Sequence, residues 1–358
     1  MSEPSSSYAR AGVDTGKAGS GVAALVAALG SIDTGSPSRA LLGSGHYANV
    51  LRLDDRTGLA LSTDGVGTKL IVAEQLGRFD TVGIDCVAMN VNDVICVGAR
   101  PIALLDYVAV EEPDPAMLAA VGEGLRRGAE DAAVEIPGGE LAVMPELIRG
   151  HPSPRGLDLL GFCVGLVDLD AIVTGAAIEP GDALVGIPSS GVHSNGLTLA
   201  RSALPDLAET PAELGGHSVG EALLEPTVIY VRAVRELQES AVEVRGLAHI
   251  TGDGLLNLLR LVAEVGYQID APLPPQPVFD LIAERGSVPA ADMYETFNMG
   301  CGFVVVVPEG DAPAAVELLG RRHPGTVVMG SVTGEAGLVE LSGPGLVGRK
   351  DEGFSAAA

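Results

Sequence analysis

A chain of 358 residues is longer than a single hydrophobic core usually serves, so two domains are expected. An apolar content of 47% and a mean hydropathy of +0.32 exclude a disordered chain, and no apolar run reaches the ~18 residues that span a bilayer. A formal charge of −25, no Trp and 3% aromatic residues argue against nucleic acid or an anionic membrane as partners, since both need a basic face or stacking platforms.

Residues 1–15 read as an arm whose end is Tyr8-Ala9-Arg10-Ala11-Gly12-Val13-Asp14. No basic segment followed by an apolar one opens the chain, which gives the expectation of a cytoplasmic protein. Residues 18–29 read as a helix weakened by glycines. Residues 50–53 and 58–62 read as a strand pair joined by the polar turn Asp54-Asp55-Arg56-Thr57. The second strand delivers Asp64, Gly65, Gly67, Thr68 and Lys69 onto one tight turn. A carboxylate, glycine amides and a cation together suit a magnesium-bound polyphosphate: the first reaches the metal, the amides approach phosphate oxygens and the cation neutralises charge. Lysine occurs only at positions 17, 69 and 350, the other cations being arginine. So acidic a chain must build any nucleotide site from a local positive field.

From residue 81 to 97, Ile84, Val87, Ala88, Val91, Val94 and Ile95 recur at intervals of three and four, which is a helix period. Asp85 and Asn92 lie two turns apart on nearly one face of it, with Asp93 one step round. A carboxylate on an apolar helix is costly to bury without a cation, so these residues read either as part of a metal site or as caps and a solvated edge. Residues 101–110 read as a strand, 117–132 as a helix and 157–167 as a strand. Pro137-Gly138-Gly139-Glu140 reads as a turn presenting one carboxylate, either at the surface or beside Asp64 and Asp93.

A glycine-bounded seam at 175–181 divides the chain. Beyond it, 182–187 reads as a strand, 194–204 and 227–237 as helices, 277–285 as a helix, 303–308 as a strand and 312–322 as a helix. Strands and helices interleave without a strict βαβ cycle, which predicts a mixed α/β or α+β fold. Ser189-Ser190-Gly191-Val192-His193-Ser194-Asn195-Gly196 sits between a strand and a helix, where amides and hydroxyls can cradle a phosphate or carboxamide. A helix cap needs one such residue rather than the whole cluster. His249-Ile250-Thr251-Gly252-Asp253-Gly254 and Phe297-Asn298-Met299-Gly300-Cys301-Gly302 are further glycine-rich turns. Cys86, Cys96, Cys163 and Cys301 lack CxxC spacing and read as inert buried thiols. No GxxxxGK[ST], HExxH or GxSxG is present, so nucleotide chemistry must use another architecture.

Taken in order, these segments resemble the phosphoribosylformylglycinamidine cyclo-ligase (aminoimidazole ribonucleotide synthetase) family over nearly the whole chain. The resemblance implies a two-domain fold: an ATP/Mg-binding and dimerisation domain at 1–170, an α/β domain at 171–345 and a tail at 346–358. N-terminal strands would form a barrel shared across a homodimer. It implies ATP and Mg²⁺, and conversion of formylglycinamidine ribonucleotide to aminoimidazole ribonucleotide through a phosphorylated amide oxygen. Asp64, Asp93 and Glu140 are then expected to hold magnesium. Gly12, Lys17, Gly65, Gly67, Thr68, Lys69 and Gly139 are expected at the nucleotide together with Asp64 and Asp93. Ser190, Gly191, His193, Ser194, Asn195, Thr251 and Asn298 would face the substrate, with His193 as proton carrier and Asp64 and Lys69 also catalytic. This chain departs from the family pattern at Gly43-Ser44-Gly45-His46-Tyr47, at Leu141-Ala142 after the Gly-Gly-Glu, and at Asp253 in place of a glycine. The alternatives are a thiamine-monophosphate kinase-like enzyme of the same superfamily and a non-catalytic nucleotide-binding paralogue.

Overall fold

The computed structural model describes residues 6–13, 15–350 and 352–357; Asp14, at the end of the expected arm, lies outside them. The first half runs α1 (Ser7–Arg10), α2 (Thr15–Leu29), β1 (Asn49–Arg52), β2 (Thr57–Gly65), α3 (Lys69–Leu76), α4 (Val82–Ile95), β3 (Arg100–Val110), α5 (Pro115–Ala132), β4 (Glu135–Val143) and β5 (Leu157–Asp168). Its strands form one sheet in the order β1-β2-β5-β3-β4. Burial alternates along β5, as it must where one face of a sheet is covered and the other open. The covering element is α4, which is buried almost all round between the sheet, α5 and the second half of the chain. Gly83 and Gly124 let α4 and α5 touch backbone to backbone: a Cβ at Gly83 would stand 2.2 Å from the Leu125 amide.

The second half runs β6 (Ala183–Pro188), α6 (Leu197–Ala203), α7 (Val219–Leu223), α8 (Val231–Gln238), β7 (Gly246–His249), β8 (Gly266–Ile269), α9 (Pro277–Gly286), α10 (Ala290–Thr296), β9 (Cys301–Val307), α11 (Ala312–Gly320), β10 (Val327–Thr333), β11 (Leu338–Leu341), β12 (Leu346–Arg349) and β13 (Gly353–Ala356). These strands form an eight-stranded sheet in the order β13-β12-β11-β8-β10-β6-β9-β7. β9 is buried at every residue, which explains its unbroken Val304 to Val307 run. The mixed α/β architecture is the one expected.

Three local expectations change. The Gly138-Gly139-Glu140 segment is not a turn but part of β4, paired in parallel with β3. The strand accepts glycine at 139 because the Asp106 carboxylate lies over it, 2.3 Å from where a Cβ would stand. The helix expected at 227–237 begins only at Val231, since side chains from α4 bond the backbone groups of 227–230 outside any helix. The expected tail contributes strands: β12 (Leu346–Arg349) and β13 (Gly353–Ala356) extend the second sheet, and Phe354 packs on Tyr294.

Candidate active site

β2 ends at the turn that the sequence singles out. The Asp64 N–H donates to Asn90 Oδ1 at 3.0 Å, and Asn90 Nδ2 donates back to the Asp64 carbonyl at 3.1 Å, so α4 clamps the strand end. The Gly65 N–H donates to Asp64 Oδ1 at 2.7 Å. Gly67 needs its left-handed φ of 68°, a conformation that glycine adopts without cost, and Gly67 and Thr68 lie exposed at the tip. Thr68 Oγ1 meets Thr198 Oγ1 of α6 at 3.0 Å, bringing the turn against the second half.

Asp64, Gly161, Asp106 and Gly139 stand in one row across β2, β5, β3 and β4. Their common face looks to α4, because a Cβ at Gly161 would meet Asn90 and Cys86. Burial, and then the negative charge of Asp93, push the Asp64 carboxyl up to about 6, with the Gly65 N–H acting the other way. Burial also raises Asp106. Asp64 and Asp106 thus face α4 from the strands on either side of β5, and burial disfavours the ionised form of each, a cost that a nearby cation would offset. Glu140 stands one row away, opposite Tyr107, and the pleat turns it to the other face, where it is exposed. Asp64 and Asp93 are thus brought near each other, whereas no group of three metal-binding side chains is assembled among the described residues.

Asp93 accepts from His249 Nδ1 at 2.9 Å, across the junction between the halves. The imidazole is sealed from solvent, stacks on Phe303, and its Nε2 lies 3.5 Å from Asn92 Nδ2. That network assigns the proton to Nδ1. Arg260 sits over the Tyr47 ring at 5.2 Å and reaches Asp253 at 3.3 Å. Asp253 carries a left-handed φ of 71°.

Lys69 departs from its expected place. Its Nζ is fully enclosed, 2.9 Å from Asp85 Oδ1 and 2.6 Å from the Glu225 carbonyl, so it does not face a polyphosphate. His193 departs as well. It is buried, its Nε2 accepts from the Ser190 N–H at 3.2 Å and the Val228 N–H at 3.5 Å, and its Nδ1 has no partner. Burial first, then His249 and Lys69, hold its pKa well below the ordinary 6.5. A neutral imidazole bonded to backbone amides shapes the loop and is poorly placed to carry protons.

The rest of the 189–196 loop divides similarly. Ser190 Oγ donates to the Pro226 carbonyl at 2.6 Å, and Ser194 Oγ to Asp85 Oδ1 at 3.1 Å. Asn298, expected at the substrate, is buried and bonds Ser189 Oγ and the Gly191 carbonyl, each at 2.8 Å. Thr251 is tied to the buried Asn257 through its N–H at 2.7 Å. Asn195 is half-buried and borders a 100 Å³ cavity with Tyr8 of α1 and Gly252. Gly12 turns the chain after α1 with φ 111°, and Lys17 is exposed in the first turn of α2. Gly16 and Gly19 of that helix border a 550 Å³ cleft with Arg260 and Lys350.

Asp106, His249, Asn90, Thr227 and Asn257 were not singled out from sequence. Asp106 left a signal, a lone charge inside the apolar run Leu104-Leu105-Asp106-Tyr107-Val108. His249 stood only as the first residue of a glycine-rich turn, and the others left none, because their importance arises from contacts that form only in the folded chain, Asn90 with Asp64, Thr227 with Asp85 and Asn257 with Thr251.

The chain matches two family models: AIR synthase related protein, N-terminal domain, over residues 45–167, and its C-terminal domain over residues 179–341. It is 48% identical over 339 residues to the phosphoribosylformylglycinamidine cyclo-ligase of Methanothermobacter thermautotrophicus, covering 93% of this chain and 96% of that protein. It is likewise 48% identical over 337 residues to the cyclo-ligase of Thermococcus kodakarensis, covering 92% and 96%. Among solved structures, the hydrogenase maturation protein HypE in complex with ATP shares the fold with TM-score 0.60 and 21% identity, over 86% of this chain and 87% of that one. Thiamine monophosphate kinase from Aquifex aeolicus shares it with TM-score 0.58 and 18% identity, over 90% and 96%. By both halves and by near-complete alignment with those relatives, the chain belongs to the phosphoribosylformylglycinamidine cyclo-ligase family, built from the AIR synthase related domains.

Proposed function

We propose that this chain uses ATP to close formylglycinamidine ribonucleotide into aminoimidazole ribonucleotide, releasing ADP and phosphate, as a cytoplasmic enzyme of purine synthesis. The observation that carries the reading is a convergence at one junction. The glycine turn after β2, the Asp64 and Asp93 carboxylates and the 189–196 loop all meet there. The near-full-length cyclo-ligase relatives favour ring closure over simple phosphorylation.

An amide oxygen is a poor leaving group. In the first step the formyl oxygen attacks the γ-phosphorus of ATP and ADP departs. In the second the amidine nitrogen attacks the activated carbon and loses a proton, and the oxygen leaves with phosphate. Such transfers depend on positioning and on stabilising negative charge. The Gly65 and Gly67 amides and the exposed Thr68 hydroxyl serve the polyphosphate, and Gly12, with Lys17 of α2, contributes from the N-terminal segment. Asp64 and Asp93 hold magnesium, with Asp106 on the same face above Gly139; the ion supplies neutralisation of phosphate oxygens. Asn195 and the loop amides around Gly191 address the substrate, while Ser190, His193, Ser194, Thr251 and Asn298 hold that loop in shape. Lys69 serves the same end through Asp85.

The active unit in this reading is a homodimer. Leu105 (44% exposed) and Phe162 (37%) lie side by side on the open face of the first sheet, an apolar patch that a monomer rarely leaves bare. Glu140 shares that face. No helix among the described residues is long and apolar enough to cross a membrane.

ATP consumption with formylglycinamidine ribonucleotide, against thiamine monophosphate as control, tests the reading. ADP released together with aminoimidazole ribonucleotide is the expected result. ATP binding without turnover of that substrate, or turnover of thiamine monophosphate instead, would overturn it.

A further inference from the structure

Residues 225–230 belong to no helix or strand, yet all but Glu225 are buried or half-buried. Their backbone is gripped from two sides. From the first half, Lys69 Nζ donates to the Glu225 carbonyl at 2.6 Å, and Asn92 Nδ2 to the Val228 carbonyl at 2.8 Å. Asp85 Oδ1 accepts the Thr227 N–H at 2.8 Å and the Thr227 hydroxyl at 2.7 Å, and Asn92 Oδ1 accepts the Tyr230 N–H at 3.0 Å. From the 189–196 loop, Ser190 Oγ donates to the Pro226 carbonyl at 2.6 Å and His193 Nε2 accepts the Val228 N–H at 3.5 Å. Ser194 Oγ joins both sides, 3.1 Å from Asp85 Oδ1 and 3.2 Å from Thr227 Oγ1.

A segment without a ladder or helix of its own takes its position from whatever satisfies its polar groups. Here those groups are the side chains of α4 on one side and the loop on the other. α4 is rigid, being packed on the sheet and on α5, and the residue after Asn92 is Asp93. We infer that residues 225–230 are a strap through which α4 sets the position of the 189–196 loop, with Asp85 and Asn92 as positioning residues. The strap thereby ties the metal-facing helix to the loop that addresses the substrate. Its link to catalysis rests on the function proposed above, whereas the mechanical coupling does not.

Two substitutions remove strap contacts, Asn92→Ala without touching the loop and Thr227→Val with loss of the Ser194 contact as well, so that Asn92→Ala is the variant that reads transmission through the strap. Asn92→Ala deletes two grips, and Thr227→Val deletes one hydroxyl while keeping the N–H. Hydrogen exchange on the full-length protein reads the coupling directly. Amides of residues 190–195 should exchange about tenfold faster in both variants, the size of effect expected for one lost hydrogen bond, while those of β6 and α5 stay unchanged. In steady-state kinetics the substrate KM should rise or kcat fall severalfold, with the ATP KM within about twofold of the parent. Faster exchange confined to 225–230, a uniform rise through β6 and α5, or failure of both variants to fold would make the segment an ordinary part of the core and overturn the inference. So would equal changes in the KM values for ATP and substrate. If the parent enzyme fails to cyclise formylglycinamidine ribonucleotide, the functional reading falls, and the exchange measurements still decide the strap.

Discussion

Lys69 Nζ lies 2.9 Å from Asp85 Oδ1, and neither side chain is reached by solvent. This pair joins the start of α3 to the first turn of α4, and its carboxylate also collects Thr227 and Ser194 from the other half. A lysine that reads in the sequence as a phosphate ligand therefore serves as a buried pin. Removing one partner leaves the other as an uncompensated internal charge. Lys69→Met should cost about 3–5 kcal/mol of stability, measured by denaturant unfolding. Near-parental stability together with a raised ATP KM would return Lys69 to the nucleotide.

Asp64 carries a stability cost as the condition of its function. Its folded pKa of about 6 lies above the ordinary 3.8, so the folded state binds the proton more tightly than the unfolded one. Stability is greatest below the unfolded value and is lost as pH rises through the folded one. Asp64→Asn should therefore be more stable than the parent above pH 6, by on the order of 2 kcal/mol after screening, and no more stable below pH 4. Added magnesium should narrow the difference by stabilising only the parent. Thermal melts across pH with and without magnesium check both signs.

His193 is neutral in the folded protein, with a pKa held well below 6.5 by burial. His193→Ala should lower kcat/KM by roughly a hundredfold by releasing the Ser190 and Val228 amides, in line with other losses of site geometry. The limbs of the pH–rate profile should stay where they are. Disappearance of one limb in the variant would identify His193 as a proton carrier after all.

Gly139 faces Asp106 so closely that a methyl group would stand 2.3 Å from its carboxylate oxygen. Gly139→Ala should displace Asp106 and strain its pairing with β4, since the same methyl group would stand 2.6 Å from the Asp106 carbonyl oxygen. The magnesium concentration for half-maximal activity should rise about tenfold, an effect of roughly 1.4 kcal/mol. An unchanged magnesium dependence would remove Asp106 from the metal site.

The open face of the first sheet offers a test of assembly. Phe162→Glu places a charge among apolar neighbours, and should yield monomers by analytical ultracentrifugation with loss of activity. A parental protein already monomeric at working concentration would refute the homodimer.

Much of this molecule was legible in its amino-acid order. The hydrophobic period of residues 81–97, the apolar run at 157–167 and the polar turn at 54–57 reflect local rules of helix face and strand, and the structure carries the elements they predict. The Asp64 turn was legible because strand, carboxylate and glycines are contiguous. The Gly139 strand was not, because its glycine answers to Asp106, more than thirty positions away. Residues 227–230 mislead for a like reason: their helical spacing is real, but Asp85, Asn92 and His193 satisfy the backbone groups that a helix would have used.

The sequence by itself determined the element types, the family resemblance and the residue kinds available for phosphate and metal. Only the tertiary structure decided which of them face the reacting groups. Lys69 and His193 turned inward because each found buried partners, and Glu140 turned away because a strand alternates its faces. Charge and chemistry are local properties of a residue. Orientation is a property of what packs against it, and at this junction the packing comes from the other half of the chain.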